Sequence, residues 1–245
     1  MKLLVGNDIV DLTSSEVKMK YLDQAFINRV LTLREKNELS LSDNPQYLLW
    51  QFWSAKEACY KLLKKLKPAF VFSPSQIEIK VVHQIGSDEY AGGSATCLGE
   101  DISIFWETTT EYIHAIALHL KLQLNICHES IRKFGLSSFL NKYDVHSKIQ
   151  MENDNLLNLE KQLFFTEREE LSIYSSASRQ VRLLAKELLA EQQEWGIEIV
   201  REKLVKKFAP PALFQNGVLK KKGDLSLSHD GEYLSSVVSI GRKWC

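Results

Sequence analysis

A weak internal repeat constrains the fold of this chain more than any other feature. Thr32-Leu33-Arg34-Glu35 recurs as Thr166-Glu167-Arg168-Glu169, an offset of 134, and Ala55-Lys56-Glu57 recurs as Ala185-Lys186-Glu187, an offset of 130. Glu111-Tyr112, followed by IHAIAL, recurs as Glu232-Tyr233, followed by LSSVVS, an offset of 121. Each match is short, but the three keep their order and the offset shrinks slowly, as small deletions would produce. The pattern reads as a duplication. At 245 residues the chain has room for one large domain or two half-size ones.

Secondary-structure signals follow the same plan. Residues 3–12 read as a strand. Residues 46–66 read as a long helix, because Leu49, Phe52, Trp53, Cys59, Tyr60 and Leu63 recur near helical spacing and Pro68 supplies a stop. Strands are expected at 76–83, 95–97, 102–106 and 112–120. In the second half a strand is expected at 145–150 and a helix at 178–194, with Val181, Leu184, Leu188 and Gln192 on one face. Strands at 225–228 and 233–240 complete it. Helix followed by strands in each half gives an α+β fold. Residues 1–125 form the first lobe, 126–150 a connector plus the first strand of the second, and 151–245 the second lobe. The stretch 122–140 is the connector proper, and polar 153–159 is a loop.

Composition removes several classes of function. Lys and Arg number 31, as do Asp and Glu, so the formal charge is zero and no bulk attraction to nucleic acid or membrane arises. Cys59, Cys97, Cys127 and Cys245 form no CxxC pair, which argues against zinc-ligand spacing or a disulfide framework. Residues 1–12, MKLLVGNDIVDL, carry acids where a signal peptide needs an apolar run, and no stretch approaches a membrane span. The expectation is a reduced, cytoplasmic protein.

Three constellations carry chemistry. In Gly6-Asn7-Asp8-Ile9-Val10-Asp11 an aspartate lies within an apolar strand, where it needs a partner or a cation. The glycine before it permits close backbone approach. In Trp53-Ser54-Ala55-Lys56-Glu57-Ala58-Cys59-Tyr60-Lys61, Glu57 and Lys61 share a helix face. A carboxylate and an ammonium so placed can serve a metal–phosphate site: one binds Mg²⁺, the other neutralises phosphate oxygens. In Leu225-Ser226-Leu227-Ser228-His229-Asp230-Gly231 alternation buries the leucines and exposes a Ser228–His229 pair before an Asp-Gly turn. Adjacent strand residues point to opposite faces, so a Ser-His-Asp triad does not fit, whereas donation to a phosphate does. Taken singly, each motif is also what a strand-end turn, a solvated Glu–Lys pair or an ordinary hairpin would show.

Together GNDIVDL, WSAKEACYK and LSLSHDGEY resemble the 4′-phosphopantetheinyl transferases. The first half, including Arg29-Val30-Leu31-Thr32 and Glu35, is similar to the small acyl-carrier-protein synthase type. The second half resembles the coenzyme-binding half of the two-lobed, surfactin-synthetase-activating type. The resemblance implies two similar lobes, a pseudo-dimer with the active site between them. It implies Mg²⁺-dependent transfer of phosphopantetheine from coenzyme A to a serine of an apo carrier protein, with release of 3′,5′-ADP. Asp8 and Glu57 match the metal ligands, and Lys61 the lysine on the coenzyme pyrophosphate. Ser228 and His229 match groups that contact the coenzyme's phosphates, and Arg182 an arginine on its 3′-phosphate. Glu57, or a water on the metal, is the candidate base; Glu57 and Lys61 are the catalytic candidates. The implied protein is a monomer without nucleic-acid or membrane partners.

Three departures stand beside the resemblance. The Ser-His lobe comes second here, where two-lobed relatives have it first. Val10 stands where such relatives often place a third acid. Gly217-Val218-Leu219-Lys220 replaces the family's Gly-Lys-Pro turn. Glu191 occupies the repeat position of Lys61, so one active site per chain is expected. The clusters Lys64-Lys65-Lys67 and Lys220-Lys221-Lys222 are candidate contacts for an acidic carrier protein. A non-catalytic module binding coenzyme A or a carrier protein is the alternative. Nucleic-acid binding through the lysine clusters is a weaker one.

Overall fold

The first strand, β1 (Val5–Asp11), is buried along its whole length and organises the molecule. A computed structural model describes residues 3–85, 90–120, 131, 133, 135–152, 163–202 and 209–241. After β1 come α1 (Gln24–Val30), α2 (Leu33–Ser40), α3 (Pro45–Leu66), β2 (Glu78–Ile85), β3 (Tyr90–Cys97), β4 (Glu100–Thr108) and β5 (Tyr112–Leu118). Then follow α4 (Leu136–Asn141), β6 (Val145–Met151), α5 (Glu167–Glu170), α6 (Ser176–Glu191), β7 (Ile197–Val200), β8 (Ala212–Gln215), β9 (Val218–Leu219), β10 (Asp224–Asp230) and β11 (Tyr233–Ser239). The strands form a five-stranded antiparallel sheet, β1-β5-β4-β3-β2, a three-stranded sheet, β10-β11-β6, and a small sheet, β7-β8-β9. The architecture is α+β.

Both long helices sit where their apolar faces require. α3 buries Leu49, Phe52, Ala55, Cys59 and Leu62 with Ile79, Ile104 and Trp106 of the five-stranded sheet and with Ile77 just before it. α6 buries Val181 and Leu184 with Leu234 of β11, and Ala185, Leu188 and Leu189 with Ile197, Ile199 and Leu225. Gln192, read onto the same face, is instead the residue that caps the end of α6. A third apolar group joins the two larger sheets: Val5, Phe105, Ile116, Leu118, Val145 and Val237, closed by Leu136, Phe139 and Leu140 of α4.

One arrangement is built twice. Thr32 and Glu35 form a capping box on α2, and Thr166 and Glu169 form one on α5. In each, the other carboxylate oxygen accepts a strand amide, Ile79 N at 2.7 Å for Glu35 and Ile199 N at 2.8 Å for Glu169. Each glutamate also meets a lysine of the long helix at 2.8 Å, buried Lys56 for Glu35 and half-buried Lys186 for Glu169. A buried carboxylate survives here because cap, strand and ammonium satisfy it together. The short repeats TLRE and AKE are the two ends of this contact.

Beside the apolar contact between the two larger sheets, the outer edge of β1 lies against side chains projecting from one face of β10. The outward amides of β1 donate to side chains of β10 at a constant spacing: Val5 N to Asp224 Oδ2 at 2.9 Å, Asn7 N to Ser226 Oγ at 2.9 Å, Ile9 N to Ser228 Oγ at 3.3 Å, and Asp11 N to Asp230 Oδ2 at 2.8 Å. Carbonyls on the same edge accept lysines from α3, Val5 O from Lys65 and Asn7 O from Lys61. Buried backbone groups need partners, and here side chains supply what a neighbouring strand would have supplied.

Several elements went unread in the sequence. α1 and α2 are short and begin at Asp23 and Thr32, whose side chains cap Phe26 N and Glu35 N. β3 starts five residues earlier than expected, at Tyr90, because Gly92 and Gly93 masked its alternation; a Cβ at Gly93 would lie 2.8 Å from the Trp106 ring. β7, β8 and β9 are too short to show a period. The expected connector is described only in part, with α4 at its end, and the loop expected at 153–159 lies outside the described residues.

At the meeting of the sheets His114 is fully buried, its Nε2 2.7 Å from Ser235 Oγ and 3.3 Å from Asn7 Nδ2. Burial, and then the Lys61 charge, push its pKa down to about 3, so the ring is neutral in the folded protein. The unfolded chain therefore binds one proton more between about pH 6.5 and 3. This contribution is complete above that window and is lost as pH falls through it, at up to about 1.4 kcal/mol per pH unit. Urea unfolding at pH 7.5 and pH 5 should show a smaller acid loss for His114→Gln than for wild type. Equal losses would contradict this.

Candidate active site

Gly6 brings β1 onto α3. A Cβ at this position would lie 2.0 Å from Ala58 O and 3.1 Å from Leu62 Cβ, so only glycine lets the strand lie so close. Two residues on, Asp8 points to the same face and meets α3 one turn along. Asp8 Oδ1 lies 2.8 Å from Lys61 Nζ and 2.8 Å from Ser228 Oγ. Lys61 Nζ also donates to Ser228 Oγ at 3.0 Å and to Asn7 O at 3.0 Å. An ammonium has three donors, and all three are used. A phosphate oxygen reaching Lys61 has to replace one of these partners.

Glu57, one turn before Lys61, is half-buried. Burial and the negative charge of Asp8 raise its carboxyl to about 7, against the pull of Lys61. The two carboxylates are thus near enough for the charge of one to disfavour that of the other. Among the described residues no three His, Cys, Asp or Glu side chains converge as a metal cluster. A pair of carboxylates fits Mg²⁺, which keeps several waters and binds through one or two acids plus substrate phosphates. The residues present fit the ion.

The Asp8 end opens into a cleft of about 540 Å³ whose walls come from both halves of the chain. One wall is aromatic, with Tyr60, Phe70 and Phe72; the Tyr60 and Phe72 rings are 4.7 Å apart. The opposite wall carries Ser228 and His229 of β10 and, from the α6 side, Ser178 and Arg182. Ser228 is buried against β1 rather than exposed beside His229, as the sequence reading had it, because the side chains that seal β1 are the alternate residues Ser226 and Ser228. His229 alone is exposed. The surrounding protein and the Lys61 ammonium hold its pKa below the usual histidine value, against Asp230, Glu152 and Asp8.

Arg182 is 2% exposed; it donates to Ser178 O at 2.7 Å and Ser172 O at 3.1 Å, and its buried Nε has no partner. Burial and the neighbouring Arg201 lower its pKa to about 10. Arg201 lines the same cleft. Two guanidinium groups facing one cavity create a local demand for an anion in a chain of zero net charge. Sequence reading missed Arg201, which follows β7 with no motif around it.

Asp8, Lys61, Arg182, Ser228 and His229 therefore line one cleft, and Glu57 stands beside Asp8. In the first lysine cluster, half-buried Lys65 reaches Asp224 of β10, Lys64 donates to Phe70 O, and Lys67 pairs with Glu100. Lys220 pairs with Glu194.

Residues 4–117, just under half of the chain, match the family model of the 4′-phosphopantetheinyl transferase superfamily. No curated protein matches the chain. The match supports a phosphopantetheinyl-transferase activity in general; that family uses coenzyme A and acts on carrier proteins. No helix among the described residues is long and apolar enough to cross a membrane.

Gly6→Ala tests whether the strand–helix approach builds the site. Overpacking of this kind costs about 1–3 kcal/mol. Thermal melts should show a lowered Tm, at roughly 2–4 °C per kcal/mol for a chain of this size. An unchanged Tm would mean that β1 is not held against α3 as described.

Proposed function

We propose that the chain is a Mg²⁺-dependent 4′-phosphopantetheinyl transferase of two similar lobes, with its single active site in the cleft between them. The carrying observation is the contact of Asp8 and Lys61 with Ser228 at the head of a cleft that also holds Arg182 and Arg201. The reading is of an acyl-carrier-protein-synthase-like first half and a coenzyme-gripping second half, in swapped order. The twin glutamate–lysine contacts support the lobes' similarity. Both walls belong to one chain, which favours a working monomer.

Coenzyme A would lie with its 3′-phosphate at Arg182 and Arg201 and its pyrophosphate at Lys61, Ser228 and His229. The hydroxyl of the carrier serine attacks the β-phosphate. The new P–O bond forms as the bond to 3′,5′-ADP breaks, and the serine proton passes to Glu57. Lys61, released from Asp8 by a phosphate oxygen, and His229 meet the charge that develops on the departing ADP. Mg²⁺ held by Asp8 and Glu57 would neutralise pyrophosphate charge.

Mass spectrometry of apo carrier proteins incubated with the chain, coenzyme A and Mg²⁺ should show addition of one phosphopantetheine. Asp8→Ala and Glu57→Ala should each lose at least about 100-fold in rate, the scale on which general acid–base groups act, with the fold intact by circular dichroism. Near-wild-type labelling by both would remove these acids from the reaction.

Grip separates from chemistry at Arg182. Arg182→Ala should raise KM for coenzyme A much more than for 3′-dephospho-coenzyme A, because the lost contact is to the 3′-phosphate. An equal penalty for the two substrates would take Arg182 out of that role.

A further inference from the structure

The strand registers carry the repeat further than the sequence does. Tyr112 of β5 and Tyr233 of β11 are repeat partners. Three residues after Tyr112, Ala115 faces Asp8 of β1; three residues after Tyr233, Ser236 faces Lys148 of β6. Lys148 therefore occupies in the second half the place that Asp8 occupies in the first. On the helices, Glu57 follows Lys56 as Glu187 follows Lys186, and Lys61 and Glu191 each come four residues later. The second cluster is closed by contact. Lys148 Nζ lies 3.0 Å from Glu187 Oε2 and 2.7 Å from Glu191 Oε1.

The charges are reversed about one shared residue type. The first crossing has an acid on the strand and Glu57 and Lys61 on the helix. The second has a base on the strand and two acids on the helix. Glu187 and Glu191 share a face at i, i+4 and repel each other without a cation. Lys148 supplies that cation permanently. Partial burial opposes its charge, yet the two glutamates outweigh burial and raise its pKa. Close approach is lost as well: by the same register His146 faces Val238 where Gly6 faces Ala117, so β6 carries a side chain where β1 carries none.

We infer that Lys148 bars a divalent cation from a second, latent carboxylate site formed by Glu187 and Glu191, and so leaves one cation site per chain. The inference rests on the reading of Asp8 and Glu57 as the cation's ligands. It assigns Lys148 as the residue that enforces the stoichiometry.

Titration of the full chain with Mn²⁺, following free Mn²⁺ by electron paramagnetic resonance, reads this without any transfer reaction. Wild type should bind one Mn²⁺, Lys148→Asp two, and Asp8→Ala with Lys148→Asp one. Lys148→Ala, which leaves the two glutamates unpaired but adds no third acid, should also gain a second, weaker Mn²⁺. It decides the matter if circular dichroism shows Lys148→Asp unfolded. Wild type binding two, or no gain in a folded Lys148 variant, overturns the inference. Wild type binding none while a Lys148 variant binds one overturns the count of one cation site per chain and sinks the assignment of Asp8 and Glu57 as metal ligands, and leaves standing only Lys148 as the residue that bars the second site.

Discussion

Everything in the cleft depends on how the outer edge of β1 is completed. An edge strand normally presents open amides and carbonyls, and a buried one cannot leave them so. Here Asp224, Ser226, Ser228 and Asp230 of β10 take the amides, while Lys61 and Lys65 of α3 reach the carbonyls. The interactions that join the sheets are also those that position Ser228 against Asp8 and Lys61. Stability and site geometry thus share one set of bonds. Weakening the edge should loosen the site before it unfolds either sheet, because each sheet keeps its own apolar helix contact.

What could be read from the sequence follows from which signals are local. The long helices, β1, β5, β10 and β11 declare themselves through apolar period and turn residues. Gly6, Asp8, Glu57 and Lys61 were legible because chemistry-bearing residues inside apolar runs demand a reason. The burial of Ser228 was not, since alternation shows that two faces differ but not which face meets another strand. Nor was Arg201, whose importance comes from Arg182 across the cleft rather than from its neighbours in sequence. The intramolecular partners of the lysines at 64, 65 and 67 were illegible for the same reason: Phe70 O, Asp224 and Glu100 lie on segments that composition cannot bring together.

On the proposed two-lobe reading, a duplication accounts for both the likeness and the asymmetry of the halves. The capping-box glutamate and its lysine partner persist in both, as expected of a contact that holds helix to strand wherever it occurs. The crossing of first strand and long helix diverges instead, with opposed carboxylates in one half and a closed ion-pair cluster in the other. On the proposed reading one crossing does the chemistry, while the second half contributes the guanidinium pair that holds the far end of the coenzyme. A zero net charge is compatible with a polyanionic substrate because Lys61, Lys64, Lys65, Arg182 and Arg201 line one cleft.

The central claim is that a single coenzyme A spans both halves of the chain. A crystal structure of the chain with coenzyme A and Mg²⁺ tests it most directly. The pyrophosphate should lie between Lys61 and the Ser228–His229 pair, with Lys61 moved off at least one of its three present partners, and the 3′-phosphate at Arg182 and Arg201. A coenzyme lying against the residues of one half alone, with Arg182 and Arg201 untouched, would contradict it.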